Sequence, residues 1–157
     1  MEIFLFVSYE TGTGFPYAKL AKARFVAAGY RAWVWHDDRT TGEYLHEEIA
    51  DQIDRCAYVV YINTDGSHDS GGQKFERNTA LALQKVPHVI SLSGSTLSPV
   101  LASCNRVPTD VAGFETACDR LAGELGQRAQ LTVQPTRTVA ESAPLTGSKP
   151  PATGSFQ

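Results

Sequence analysis

Unbroken apolar runs alternate with helical stripes through most of this chain. Ile3-Phe4-Leu5-Phe6-Val7 has no polar interruption, which suits a strand buried on both faces, as in a parallel sheet covered by helices. Ser8-Tyr9-Glu10 and the loop Thr11-Gly12-Thr13-Gly14 end it. Pro16 suits the first turn of a helix, Ala18, Ala21, Phe25 and Ala28 recur at helical spacing, and Gly29 stops them. Arg31-Ala32-Trp33-Val34-Trp35 reads as the second strand, followed by the polar stretch His36 to Gly42. Leu45, Ile49 and Ile53 step by four through the next helix, with Glu47 and Glu48 turned to water.

Ala57 to Ile62 is the third strand. A polar, turn-rich segment runs from Asn63 to Gly72. Phe75, Thr79 and Leu83 mark one face of a helix, and Val86 to Leu92 forms a fourth strand. A Ser-rich loop then holds a short helix from Ser98, Arg106 to Thr109 is a short fifth strand, and Phe114, Ala117, Leu121 and Leu125 describe a final helix. Strand and helix repeat about every 25–30 residues, the size of a βα unit, so the pattern predicts an α/β domain over residues 1–125 with a parallel sheet and right-handed crossovers. Residues 126–157 hold four of the eight prolines, are rich in Thr, Ser, Ala and Gly, and read as a flexible tail.

At 42% apolar residues the chain can build a core, which excludes whole-chain disorder. A net charge of −3 provides no basic field for nucleic acid or an anionic membrane. No apolar run reaches the ~18 residues of a membrane span, and Glu2 after Met1 does not start a signal peptide. Cys56, Cys104 and Cys118 form neither a disulfide framework nor a zinc pair. The expectation is a soluble, reduced, cytoplasmic domain with no membrane and no nucleic-acid partner.

Ligands of open parallel sheets bind beyond the carboxyl ends of the strands. The polar clusters Ser8-Tyr9-Glu10, His36-Asp37-Asp38-Arg39 and Asn63 to Asp69 collect at those ends, although loops are polar at both edges of a sheet. Familiar motifs are missing. Gly12-Thr13-Gly14 has neither dinucleotide-fold nor Walker spacing, and no Gly-x-Ser-x-Gly elbow occurs. His36, Asp37 and Asp38 splay apart at a strand end and predict no metal site. Ser70 with Gln73 fits a helix capping box.

Phe4-Leu5-Phe6-Val7-Ser8-Tyr9 resembles box 1 of the Toll/interleukin-1 receptor (TIR) domain family. Gly29 to Asp38 is similar to the family's second strand, and Gly42-Glu43 with Glu47-Glu48-Ile49 and Ile53 to its BB loop and following helix. Ser70-Gly71-Gly72-Gln73-Lys74-Phe75-Glu76 with Ala80 resembles its W-C-x-x-E region. The similarity covers residues 1–125. Gly72 and Gln73 stand where the family often has Trp and Cys, Leu45 where it has Trp, and the BB loop lacks the proline of receptor and adaptor members. These departures favour the bacterial or archaeal branch. The resemblance implies a flavodoxin-like open parallel sheet of about five strands with helices on both faces.

It also implies chemistry. Many TIR domains similar to this one cleave NAD+ at the nicotinamide–ribose bond, hydrolysing or cyclising the product, with NAD+ as substrate and no cofactor. Nicotinamide leaves a pyridinium as a neutral base, so one carboxylate opposing the ribosyl cation suffices. Glu76 stands at the catalytic position; the alternative is an ordinary surface Glu. Gly71 and Gly72 would bring backbone close to a ligand. Phe6, Ser8 and Tyr9 resemble residues lining the nicotinamide and ribose, with core packing the alternative for Phe6. Trp33 and Trp35 share a sheet face; core packing is the favoured role for both, with stacking on a substrate ring the alternative, Trp35 being the substrate-side candidate. Arg39 either pairs with phosphates or is a solvated loop charge, and Asp37 and Asp38 either position Arg39 or cap the strand end, Asp38 being the substrate-side candidate.

Three functions therefore stand: an NAD+ glycohydrolase or cyclase, a non-enzymatic module that signals through TIR–TIR contacts, and an enzyme resembling nucleoside 2-deoxyribosyltransferases. Self-association through the BB loop, Asp37 to Glu43, is expected. The chain further resembles standalone TIR proteins of bacterial antiphage systems of the Thoeris type, whose nucleotide product reaches a separate effector.

Overall fold

A computed structural model describes residues 2–148, with side chains to Leu131. Five parallel strands, β1 (Phe4–Ser8), β2 (Arg31–Val34), β3 (Tyr58–Asn63), β4 (His88–Leu92) and β5 (Arg106–Thr109), form one sheet in the order β2-β1-β3-β4-β5. The helices are α1 (Phe15–Ala27), the single turn α2 (Trp35–Asp38), α3 (His46–Arg55), α4 (Gly71–Ala82) and α5 (Phe114–Ser148). This is the flavodoxin-like order. From β1 the chain moves outward to β2 and then returns past β1 to β3. Right-handed crossovers therefore put α1 on one face and α3 and α4 on the other.

Phe6, Trp33, Ile49, Ile53, Cys56, Val59 and Ala80 form the core beneath α3 and α4. Leu5 and Val7 point to the opposite face, where α1 contributes Ala18, Ala21 and Phe25. There Arg24 of α1 pairs with Asp119, and Tyr17 meets the Phe114 ring edge-on at 5.0 Å, tying α1 to the first turns of α5. Helix ends follow local rules. Gly29 adopts φ 94°, which only glycine takes without strain, and lets Tyr30 N–H bond back to Phe25 O at 3.0 Å. Lys85 Nζ donates to Ile53 O at 2.9 Å and Cys56 O at 2.8 Å, closing the carbonyl end of α3.

Several elements depart from the sequence pattern. β2 stops at Val34, and Trp35 opens a helical turn instead of continuing the strand. β4 starts at His88, leaving Val86 56% exposed. Helix α4 buries Gln73, Glu76, Arg77 and Ala80, so Leu83, at 38% exposure, is peripheral rather than core-facing. Glu48 is not a free surface carboxylate: it accepts from Thr40 N–H at 2.9 Å. The short turn expected from Ser98 is a 3-10 helix, Pro99–Leu101.

The final helix continues past Leu125 to Ser148, so that part of the expected tail is helical; Gln127 to Leu131 are good helix formers that allow it to propagate through Gly126. The rest of that tail, 149–157, lies outside the described residues. The chain divides into two compact units, Met1–Ala122 and Gly123–Gln157. The sheet, α1 to α4 and the first turns of α5 make up the first, and the remainder of α5 lies in the second.

Candidate active site

The strand order reverses between β1 and its neighbours β2 and β3, and there the loops after the three strands part. A cleft of about 490 Å³ opens at that point. Tyr9 and Thr11 reach it from the end of β1, Trp35 and His36 from α2, Tyr44 and His46 from the start of α3, and Ser70, Gly72 and Glu76 from α4.

Glu76 is 5% exposed at the base of this cleft. Ser8 Oγ, 68 residues away in sequence, donates to its Oε1 at 2.6 Å, and Tyr44 Oη donates to its Oε2 at 3.0 Å. Burial raises the carboxyl pKa to about 7, and the two hydroxyl donors hold it from going higher. Both oxygens are thus oriented by fixed hydroxyls in a partly aromatic site, the setting in which a carboxylate opposes positive charge strongly.

The aromatic wall is continuous. Phe15 and His36 lie 4.0 Å apart between centroids, Trp35 meets Tyr44 at 5.8 Å, and His46 stacks on Phe75 at 4.1 Å. Tyr9 Oη accepts from His36 N–H at 2.9 Å and lies 2.6 Å from His36 Nδ1. The hydroxyl thus ties the His36 backbone and ring to the end of β1. Burial, then the Arg39 charge, lowers the His36 pKa.

Helix α4 brings the carboxylate inward. Ser70 Oγ accepts from Gln73 N–H at 3.1 Å and caps the helix, but the capping box is half made. The Gln73 side chain turns inward rather than back to Ser70. Gly71 and Gly72 occupy the first turn with no positive φ, and a Cβ on Gly72 would meet Tyr44 only at 3.6 Å, so neither glycine is required there by space or strain.

The model of the TIR domain family matches residues 5–122. The chain is a TIR domain. A comparison with curated proteins finds no match. Among solved structures, a metazoan TIR-STING receptor from C. gigas, in complex with 2',3'-cGAMP, superposes with TM-score 0.61 at 18% identity. It covers 73% of this chain, which spans 39% of the receptor chain. The Clostridium botulinum CMP N-glycosidase BcmB superposes with TM-score 0.55 at 11% identity, over 75% of this chain and 96% of its own. The TIR domains of the activated Roq1 resistosome, which directly recognises the pathogen effector XopQ, give 0.50 at 8% identity, over 78% of this chain and 84% of theirs. At these identities the likeness shows the fold, the five-stranded flavodoxin-like sheet that the resemblance implied.

Within this TIR domain the candidate residues separate. Tyr9, Trp35 and Glu76 line the cleft. Ser8 is fully buried and reaches the site only through Glu76. Phe6 lies one pleat below Ser8 on the same face, fully buried and stacked on Trp33 at 5.3 Å; it is core, not cleft wall, as is Trp33. Asp38 faces α1, accepting from Lys22 Nζ at 2.7 Å and from Val34 N–H at 2.7 Å. Arg39 lies over the Trp35 ring at 4.6 Å and donates to His36 O at 2.6 Å. Neither Asp38 nor Arg39 lines the cleft; the helical turn α2 rotates side chains about 100° per residue where a strand would alternate them, which carries Asp38 to α1. Tyr44 and His46 are wall residues that sequence reasoning missed, and His36, read only as part of the polar cluster after β2, is a third. Among the described residues, no group of three or more His, Cys, Asp or Glu side chains is placed to hold a metal ion, and no helix is long and apolar enough to cross a membrane.

Proposed function

We propose that this TIR domain cleaves the nicotinamide–ribose bond of NAD+, with Glu76 as the catalytic carboxylate. One observation carries the reading: a buried carboxylate, gripped on both oxygens by hydroxyls, at the base of an aromatic cleft over the β1 switch point. A flat pyridinium ring suits walls made of Trp35, His36 and Tyr44. As the C1′–N1 bond breaks, its electron pair stays on nitrogen, nicotinamide departs neutral, and positive charge develops on C1′ and the ring oxygen. The Glu76 carboxylate opposes that charge. Water then attacks C1′ and loses a proton, giving ADP-ribose, or a nucleophile within the same molecule attacks to give a cyclic product. NAD+ is the substrate, and the chemistry requires no separate cofactor.

His36, held by Tyr9, presents its ring to the substrate. The exposed stretch from Thr40 to Glu43 serves self-association. By resemblance, the nucleotide product acts on a separate effector, in the manner of antiphage TIR proteins.

The test is nicotinamide released from NAD+ by wild type, Glu76→Gln and the surface control Glu47→Gln. Glu76→Gln keeps the size and removes the charge, and it should cost on the order of 10²- to 10³-fold in rate while Glu47→Gln changes nothing. An active wild type whose Glu76→Gln variant keeps its rate would sink the catalytic assignment. CMP and a deoxynucleoside run in parallel, since the fold is shared with a CMP N-glycosidase. Base release from either of these but not from NAD+ would reassign the substrate. No release from any of them, with the protein concentrated, would leave an interaction module.

A further inference from the structure

We propose that Gln73 is a positioning residue whose side-chain amide sets the direction of the Ser8 hydroxyl, and through it holds the Glu76 carboxylate. Its catalytic meaning rests on the reading of Glu76 above, whereas the hydrogen-bond chain does not.

Gln73 is 1% exposed, three residues before Glu76 and therefore on the same inner stripe of α4. Its Nε2 donates to Ile62 O at 3.1 Å and to Ser8 Oγ at 3.3 Å. Ile62 O is only an acceptor, so the amide nitrogen must face it, and both N–H groups are then in use. Ser8 Oγ, having accepted from Gln73, directs its own proton away from Gln73, onto Glu76 Oε1 at 2.6 Å. The result is a one-way chain, Gln73 to Ser8 to Glu76, in which each bond polarises the next.

Stability does not account for Gln73. Its Oε1 is buried with no partner among the described residues. An orphaned buried carbonyl is a net penalty, and an apolar side chain of equal length would escape it. The helix cap needs only the Gln73 backbone N–H. What the side chain adds is direction at the carboxylate.

The experiment is a carbon-13 NMR titration of the Glu76 carboxyl, which requires no substrate. It compares wild type, Gln73→Met, Ser8→Ala and the double variant. The other groups facing Glu76 stay constant across the set: Tyr9 and Tyr61 from β1 and β3, Tyr44 ahead of α3, Arg77 beside it on α4, and His36 and His46 across the cleft. Ser8→Ala should raise the Glu76 midpoint by about one pH unit, and Gln73→Met by about half a unit. Gln73→Met should add nothing once Ser8 is alanine, and its melting temperature should equal or exceed that of wild type. A Glu76 midpoint unmoved by Gln73→Met, or moved equally in the Ser8→Ala background, overturns the proposal. Should Gln73→Met not fold, Gln73→Asn keeps the amide but cannot span Ile62 and Ser8, and the same shift is expected. If the midpoint moves but wild type cleaves no NAD+, the positioning stands and the proposed reaction falls. If NAD+ is cleaved through Glu76 and the midpoint does not move, only the positioning falls.

Discussion

Tyr44, in the segment that leads into α3, donates its hydroxyl to Glu76 Oε2 on α4 at 3.0 Å. The same hydroxyl lies 3.2 Å from Gly72 O, but one proton serves one acceptor, and the charged one wins when Glu76 is ionised. Tyr44→Phe keeps the ring against Trp35 and removes the donor. A donor to the charged form lowers a carboxyl pKa, so its loss raises it. With the ionised carboxylate as the proposed working form, kcat/KM for NAD+ should rise with pH through about 7 in wild type. In Tyr44→Phe that limb should move to higher pH, with activity at pH 7 falling more than activity at pH 9. A limb that stays in place would show that Tyr44 only fills space.

The raised Glu76 pKa has a stability consequence with a definite sign. Between the ordinary carboxyl value of 4.5 and about 7, the folded protein holds a proton that the unfolded chain has released. Stability from this group is therefore full below 4.5 and is lost as pH rises through 7. Glu76→Gln mimics the protonated form and escapes the loss. Melting temperatures of wild type and Glu76→Gln should converge near pH 4.5 and separate by pH 8, the variant being more stable by on the order of 3 kcal/mol. Glu10, whose carboxyl is held low by hydrogen bonds from Gly12 and Thr13, titrates in both proteins and cancels in the difference. A difference that does not change with pH would contradict the buried titration.

Removing everything after Gly126 should leave the first compact unit standing. Leu125 is the last fully buried side chain described, and Leu131 is 64% exposed. The melting temperature should stay within about 2 °C of the full chain, under ~1 kcal/mol for a protein of this size. A fall of many degrees would show that later residues support the fold.

Assembly should raise activity. Arg39 lies on Trp35, and Tyr44 directly follows Glu43, so the exposed residues 40–43 sit between two cleft-wall residues. Nicotinamide release per molecule should increase with protein concentration. Constant specific activity over a wide range would mark a self-sufficient monomer.

Most of the sheet was legible in the sequence because burial on both faces disfavours polar residues within a strand, and the cores of β1 to β4 lay inside apolar runs, whereas β5 buries only Val107. The resemblance marked Glu76, and the Ser70 cap marked the start of its helix. The apolar stripe of α4 was misleading, since its inward positions, Gln73, Glu76 and Arg77, are polar. A periodicity rule that seeks apolar residues sees only the flank, Phe75 and Thr79. That polar inner stripe was itself the signal of a site. Trp35 and Asp38 were misplaced because strand and helical turn differ in period, and no local residue announces the switch after Val34.

Other features depended wholly on tertiary structure. The pairing of Ser8 with Glu76 and of Tyr44 with the same carboxylate joins segments 68 and 32 residues apart. Local propensity carries no information across such distances; strand order does. Placing β1 between β2 and β3 brings three loop sets to one point, and only there does a glutamate become a buried acid. The residue type and its helix were written in the sequence, but the low dielectric and the two hydroxyls that shift its proton affinity arise from packing.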